Sequence, residues 1–263
     1  MTNGKYNIEV RFEGGLTTAQ KAAFTSASDR WSQIISADVP NVRLPDGEVV
    51  DDVLIFARGS TIDGPSGILG QAGPRQFRPG SLIPITGNME FDTADLARME
   101  LDGSLEDVIF HEMGHVIGIG TLWQALGLLE GAGTANPVFT GENAMREFAD
   151  LIGADNPTPV PVANRGGPGT RDGHWREEVL ANELMTGFLN PDSNPVSRVT
   201  IASVQDMGYE VDFDAAEEFA LPRSFLELSI LGIGAVEHPQ GCMMAGLRRR
   251  GFKPEVLPES ALL

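Results

Sequence analysis

Residues 104–120 read SLEDVIFHEMGHVIGIG, and the five letters at 111–115, HEMGH, carry the chemistry of the chain. Leu105, Val108, Ile109, Val116 and Ile117 recur at helical spacing, with Ser104 placed as N-cap ahead of Glu106 and Asp107. A helix brings residues four apart onto one face, so His111 and His115 can share a single ion through imidazole nitrogen. Glu112, one step round from His111, can reach a water held by that ion, as a general base must. Gly118-Ile119-Gly120 then ends the helix, with Gly118 where a sharp turn needs positive φ.

A catalytic zinc takes three protein ligands and keeps one position for water, so a third ligand is required. The chain has four histidines, which leaves His174 and His238. His174 stands in GHWREEVLANELMTG at 173–187, whereas His238 precedes Pro239 in a segment with no other metal-site character. His174 is the expected third ligand, and a carboxylate from Glu178 or Glu183 is the competing choice. The lone cysteine, Cys242, excludes an intrachain disulfide framework and any cysteine-pair metal site, and reads as a small buried side chain.

Outward from this core, residues 6–12 (YNIEVRF) alternate like a half-buried strand. Thr17-Thr18 offers an N-cap to a long helix burying Ala22, Phe24, Trp31, Ile34 and Ile35. Residues 49–58 read as a second strand, 59–80 as an irregular Gly/Pro-rich loop, and 81–91 as a strand that Pro84 demotes to an edge. An extended substrate is expected along that 81–91 edge. Asp92, Asp95, Glu100 and Asp102 lack EF-hand spacing and read as a solvated acidic stretch, leaving calcium without support. The long stretch 121–173 reads as an insertion holding one helix near 142–152, and 200–207 as another short helix. Residues 224–236 are too short to span a bilayer and read as core or an interaction face, and Arg248-Arg249-Arg250 as a solvated terminus.

HEMGHVIGIG, followed much later by GHWREEVLANELMTG, resembles the leishmanolysin family of metzincin metallopeptidases, in which an insertion separates the third histidine from the helix. Other metzincins would carry that ligand at position 121, where this chain has Thr121. The resemblance spans about residues 5–215. It implies that Glu183-Leu184-Met185 matches the Met-turn, with Met185 an apolar floor that does not bind the ion. It also implies an α+β, zincin-like fold: an N-terminal catalytic lobe (1–120) with a twisted mixed sheet and two helices, one of them the HExxH helix, then an irregular, mainly helical C-terminal lobe (121–221). A tail (222–263) is left without a role. Unlike the disulfide-rich eukaryotic members, the chain has one cysteine, which lies C-terminal to the site and cannot serve as an upstream latency cap.

The expected activity is that of a zinc-dependent endopeptidase acting on protein or peptide. The alternatives are a zinc-stabilised binding or adhesion module without catalysis, and a zinc hydrolase of a non-peptide bond. An intact Glu112 argues against the binding module, since structural zinc has no use for a base and takes four protein ligands. A net charge of −18 makes nucleic acid a poor partner. No run of about eighteen apolar residues offers a membrane span and no secretory leader is visible, so a soluble chain is expected, cytoplasmic or exported by a signal-independent route. Oligomeric state is left open.

Overall fold

The computed structural model describes residues 4–65, 68–167, 169–190, 193–221 and 255–263. Cys242, His238, the 224–236 segment and Arg248-Arg249-Arg250 lie outside them. The architecture is α+β, built on a mixed five-stranded sheet. Strands β1 (Ile8–Gly14), β4 (Val53–Ser60) and β6 (Pro84–Asp92) run parallel, with Ile8 opposite Val53 and Leu54 opposite Thr86. Strand β5 (Gly70–Phe77) pairs antiparallel with β6, and the short β10 (Glu255–Val256) lies parallel to β5 at Gln76 and Phe77.

Two helices cover one face of the sheet. Thr17 and Gln20 form a reciprocal capping box that starts α1 (Thr18–Ile34). Helix α3 (Leu105–Ile117) lies beside it, and the Trp31 indole N–H donates to Phe110 O at 2.9 Å while the two rings pack 4.8 Å apart. Phe24 joins them to the sheet, meeting Phe12 and Phe91 edge-to-face at 5.6 and 5.5 Å. Burial of such large rings contributes roughly 1.5–3 kcal/mol each. On the opposite face the β2 (Val42–Arg43) and β3 (Val49–Val50) hairpin encloses a smaller core of Val42, Val50, Leu54, Ile85, Leu257 and Ala261. The last residues of the chain therefore complete this second core.

Several expectations are corrected. Ala22 is exposed, and Gln20, Ala27 and Ser28 turn inward with Phe24. The single strand expected at 49–58 is broken into β3 and β4, because buried Asp52 accepts the N–H groups of Asn7 (2.6 Å) and Val39 (2.8 Å) and turns the chain. The supposed loop at 59–80 contains β5, whose GQAGPRQF lacks alternation; Gly70 is required because the Phe91 ring lies 2.8 Å from where a Cβ would stand. Residues 84–92 form an interior strand, not an edge, since Pro84 is its first residue and its missing N–H costs no ladder bond. The acidic stretch is a helix, α2 (Thr93–Asp102), with Asp92 and Asp95 buried. The N-terminal part thus has three helices.

The stretch at 121–173 is more regular than expected. Strands β7 (Leu129–Glu130), β8 (Val138–Phe139) and β9 (Val160–Pro161) form a small antiparallel sheet, beside α4 (Glu142–Ile152). Helix α6 (Arg198–Asp206) packs on α4, and its Asp206 carboxylate accepts the Asn143 and Ala144 N–H groups at the α4 N-terminus. A short helix, α5 (Glu177–Leu180), lies between. No helix among the described residues is long and apolar enough to cross a membrane.

One side chain ties the layers together. Arg78 is buried and donates to four backbone carbonyls, those of Pro40, Asp51, Asp52 and Pro84, at 2.6–2.8 Å. Arg78→Met strips the donors from all four, so unfolding free energy is expected to fall by about 3 kcal/mol or more. In a chain of this size that is a drop in Tm of roughly 6–12 °C by calorimetry. A change under about 2 °C would show that water replaces the guanidinium without loss.

Candidate metal centre

Helix α3 is buried along its last two turns, and His111, Glu112 and His115 lie inside with it. Ser104 precedes it without a side-chain cap bond. Gly118, at φ 128°, ends it. Gly120 then passes so close to the 173–174 segment that a Cβ on it would fall 1.9 Å from Gly173 O. That approach brings His174 to the helix.

The three histidine Nε2 atoms form a triangle: His111 to His115 3.0 Å, His111 to His174 3.1 Å, His115 to His174 3.0 Å. Each Nδ1 faces a backbone carbonyl, Leu184 O for His111 (2.6 Å), Ile119 O for His115 (2.9 Å) and Thr170 O for His174 (3.0 Å). A carbonyl only accepts, so each Nδ1 carries the ring proton and each Nε2 is left as a bare lone pair. The Nε2 contacts are then not hydrogen bonds, and three mutually repelling lone pairs fit one cation between them. A tetrahedral ion with metal–nitrogen bonds of about 2.0–2.1 Å spaces its ligand nitrogens by roughly 3.3 Å, within a few tenths of this triangle. Burial pushes His115 down to about 4; burial and then His115 push His174 down to about 3. His111 also falls well below its ordinary range, through burial and then the two neighbouring imidazoles. All three are neutral at physiological pH, the form that ligates metal.

Glu112 has neither carboxylate oxygen in a hydrogen bond, and burial pushes its carboxyl up to about 8. A cation beside it would reverse that shift by favouring the charged form. Its Cγ lies 3.5 Å from where Gly70 would carry a Cβ, so the start of β5 borders it. Met185 is fully buried with its Sδ against Gly114, at 3.0 Å from an ideal Cβ there, in the helical turn between the two histidines. Thr121 turns its hydroxyl back onto His115 O at 2.8 Å.

The competing carboxylates do not converge on the triangle. Glu178 pairs with Arg165 at 3.4 Å, and Glu183 is consumed by backbone and hydroxyl donors. Nor do the acids considered for calcium gather into a site. Burial alone would raise Asp92, but the N–H groups of Gly64, Ala94, Ile62 and Asp63 hold it below the usual range, and Asp102 caps Ser104. The carbonyls of Leu184, Ile119 and Thr170 and the Gly120–Gly173 contact have no signal in the sequence.

Behind His174, Trp175 stacks on Trp123 at 4.6 Å and meets Phe139 edge-to-face at 5.5 Å. Its backbone bridges to Val162 and Thr186, joining β9 to the turn that carries Met185. Against known proteins, a family model described as leishmanolysin, a peptidase family, matches residues 32–224. No curated protein matches the chain.

Proposed function

Because the chain belongs to the leishmanolysin family of metallopeptidases, we propose that it is a zinc-dependent endopeptidase with His111, His115 and His174 as ligands and Glu112 as general base. The observation that carries this reading is the triangle of bare Nε2 atoms, 3.0–3.1 Å on a side, with the unpartnered Glu112 carboxylate on the same helix. Bound there, zinc would supply Lewis acidity toward a water molecule and the scissile carbonyl. Glu112 takes the proton of the attacking water and returns it to the departing amide nitrogen. The carbonyls of Leu184, Ile119 and Thr170 hold the imidazoles in place beforehand, so little reorganisation is needed when the ion binds. Met185 supplies an apolar floor under the histidine turn and stays off the metal.

The arrangement we propose is metzincin-like, with the cleft between an N-terminal lobe (1–120) and a C-terminal lobe (121–221). Substrate is placed along β5 rather than along 81–91, which is interior. Strand β5 is the antiparallel member of the sheet, it begins beside Glu112, and among the described strands β10 pairs with its outer side only at Gln76 and Phe77. An extended peptide there gains main-chain hydrogen bonds irrespective of its sequence.

The test is elemental analysis of zinc-loaded protein together with cleavage of unfolded casein. One zinc per chain, cleavage lost to a chelator and regained with added zinc are expected. A chain that holds zinc and cuts nothing turns the reading to a binding module or another substrate class; one that holds no metal under zinc-replete conditions ends it.

A further inference from the structure

Glu183 is fully buried, and among the described residues it enters no ion pair. Four protons converge on it instead. Oε2 accepts the Met185 N–H at 2.7 Å; Oε1 accepts the Ser197 N–H at 3.0 Å, the Ser197 hydroxyl at 2.8 Å and the Thr200 hydroxyl. Ser197 is the N-cap of α6, so the carboxylate also sits at the positive end of that helix. Oε1 thus takes three of the four donors and Oε2 one, so the side chain is engaged by the turn and by α6 rather than by the histidine triangle.

Two of these bonds lead onward to histidines. The Met185 N–H bond holds the turn in which the preceding carbonyl, Leu184 O, accepts His111 Nδ1–H at 2.6 Å. Thr200 spends its one proton on Glu183, so its oxygen is free to accept the Trp175 indole N–H at 2.8 Å. Trp175 follows His174 directly, and its own N–H donates to Met185 O at 2.9 Å. His115 needs none of this, since Ile119 O beyond the end of its own helix orients it.

We propose that Glu183 is a positioning residue for the metal, a buried carboxylate that holds His111 and His174 to a common centre through Met185 and through Thr200 and Trp175. The proposal rests on the zinc reading of the three histidines. It predicts that damage to this hub loosens the metal without touching any ligand. In E183Q the amide NH₂ must face groups that are themselves donors. T200V keeps the side-chain shape but cuts the branch to Trp175.

Three readouts test it: zinc release into excess chelator, the visible absorption of the cobalt-substituted protein, and the gap in Tm between metal-loaded and metal-free forms. E183Q and T200V are expected to release zinc about tenfold faster or more, to change the cobalt spectrum and to narrow the gap. R78M, destabilised at a side chain whose hydrogen bonds go to Pro40, Asp51, Asp52 and Pro84 and to no metal-site residue, should lower both melting temperatures together and keep wild-type release. A folded E183Q with wild-type release and spectrum overturns the proposal. If E183Q does not fold, T200V with wild-type release overturns it. Wild type that takes up neither zinc nor cobalt removes the metal reading and the hub with it, an outcome distinct from normal uptake with unaffected variants.

Discussion

Glu112→Gln is expected to keep one zinc per chain and to lose peptide cleavage by about a thousandfold or more, the range over which a general base acts. The amide nearly matches the carboxylate in size, so the buried pocket is kept, but it cannot take a proton from water. Retention of the ion is expected because the ligand triangle is formed without Glu112, whose oxygens contact no histidine nitrogen. Zinc content and kcat/KM on a fluorogenic peptide check both halves. Activity within tenfold of wild type would show that another group is the base, and loss of zinc would make Glu112 a ligand. The same variant has a sign in stability. Burial raises the carboxyl from 4.5 to about 8, so the metal-free wild type loses stability as pH rises through that window, while its unfolded chain is already ionised. Metal-free Glu112→Gln should lack this loss, which urea unfolding at pH 5 and pH 8 measures directly.

Gly120→Ala is expected to remove zinc as completely as His174→Ala, although position 120 offers no ligand. The new Cβ would fall 1.9 Å from Gly173 O, so the 173–174 segment must retreat by an ångström or so. Metal–ligand distances tolerate only about 0.2 Å. Affinity should fall by about a hundredfold or more, read by competition with a chromophoric chelator. Gly120 also has φ +70°, where any side chain is strained, and Gly127 separates the two causes. It has φ +71° but nothing within 4 Å of an added Cβ, so Gly127→Ala carries the strain without the collision and should bind zinc normally. Equal loss in both variants would assign the effect to backbone strain.

Much of the fold around the site is legible in the sequence. The 104–120 pattern predicts a helix ended by Gly118, Thr17-Thr18 offers the N-cap of the first helix, and helices are expected near 142–152 and 200–207. The errors share a cause. Strand β5 has no alternation to detect, because two glycines and a proline interrupt it, and at Gly70 the Phe91 ring leaves no room for a Cβ. Strand β6 reads as an edge only while its proline is weighed without its place at the start of the strand. Asp92, Asp95 and Asp52 carry no mark of burial, because the backbone donors that accommodate Asp92 and Asp52, and the packing that encloses Asp95, are reached only in the folded chain.

The sequence by itself determined the helix and the placing of His111, Glu112 and His115 along it, because a four-residue spacing on one face is a property of the helix alone. It also narrowed the remaining histidines to two. The tertiary structure decided that three Nε2 atoms meet within 3.0–3.1 Å, which nitrogen of each ring is bare, why residue 120 must be glycine, and what Glu183 does. Those outcomes turn on the carbonyls of Leu184, Ile119, Thr170 and Gly173 and on the amides of Met185 and Ser197. Nearly every residue carries the same carbonyl and amide, so no side-chain letter marks the ones that the fold will use.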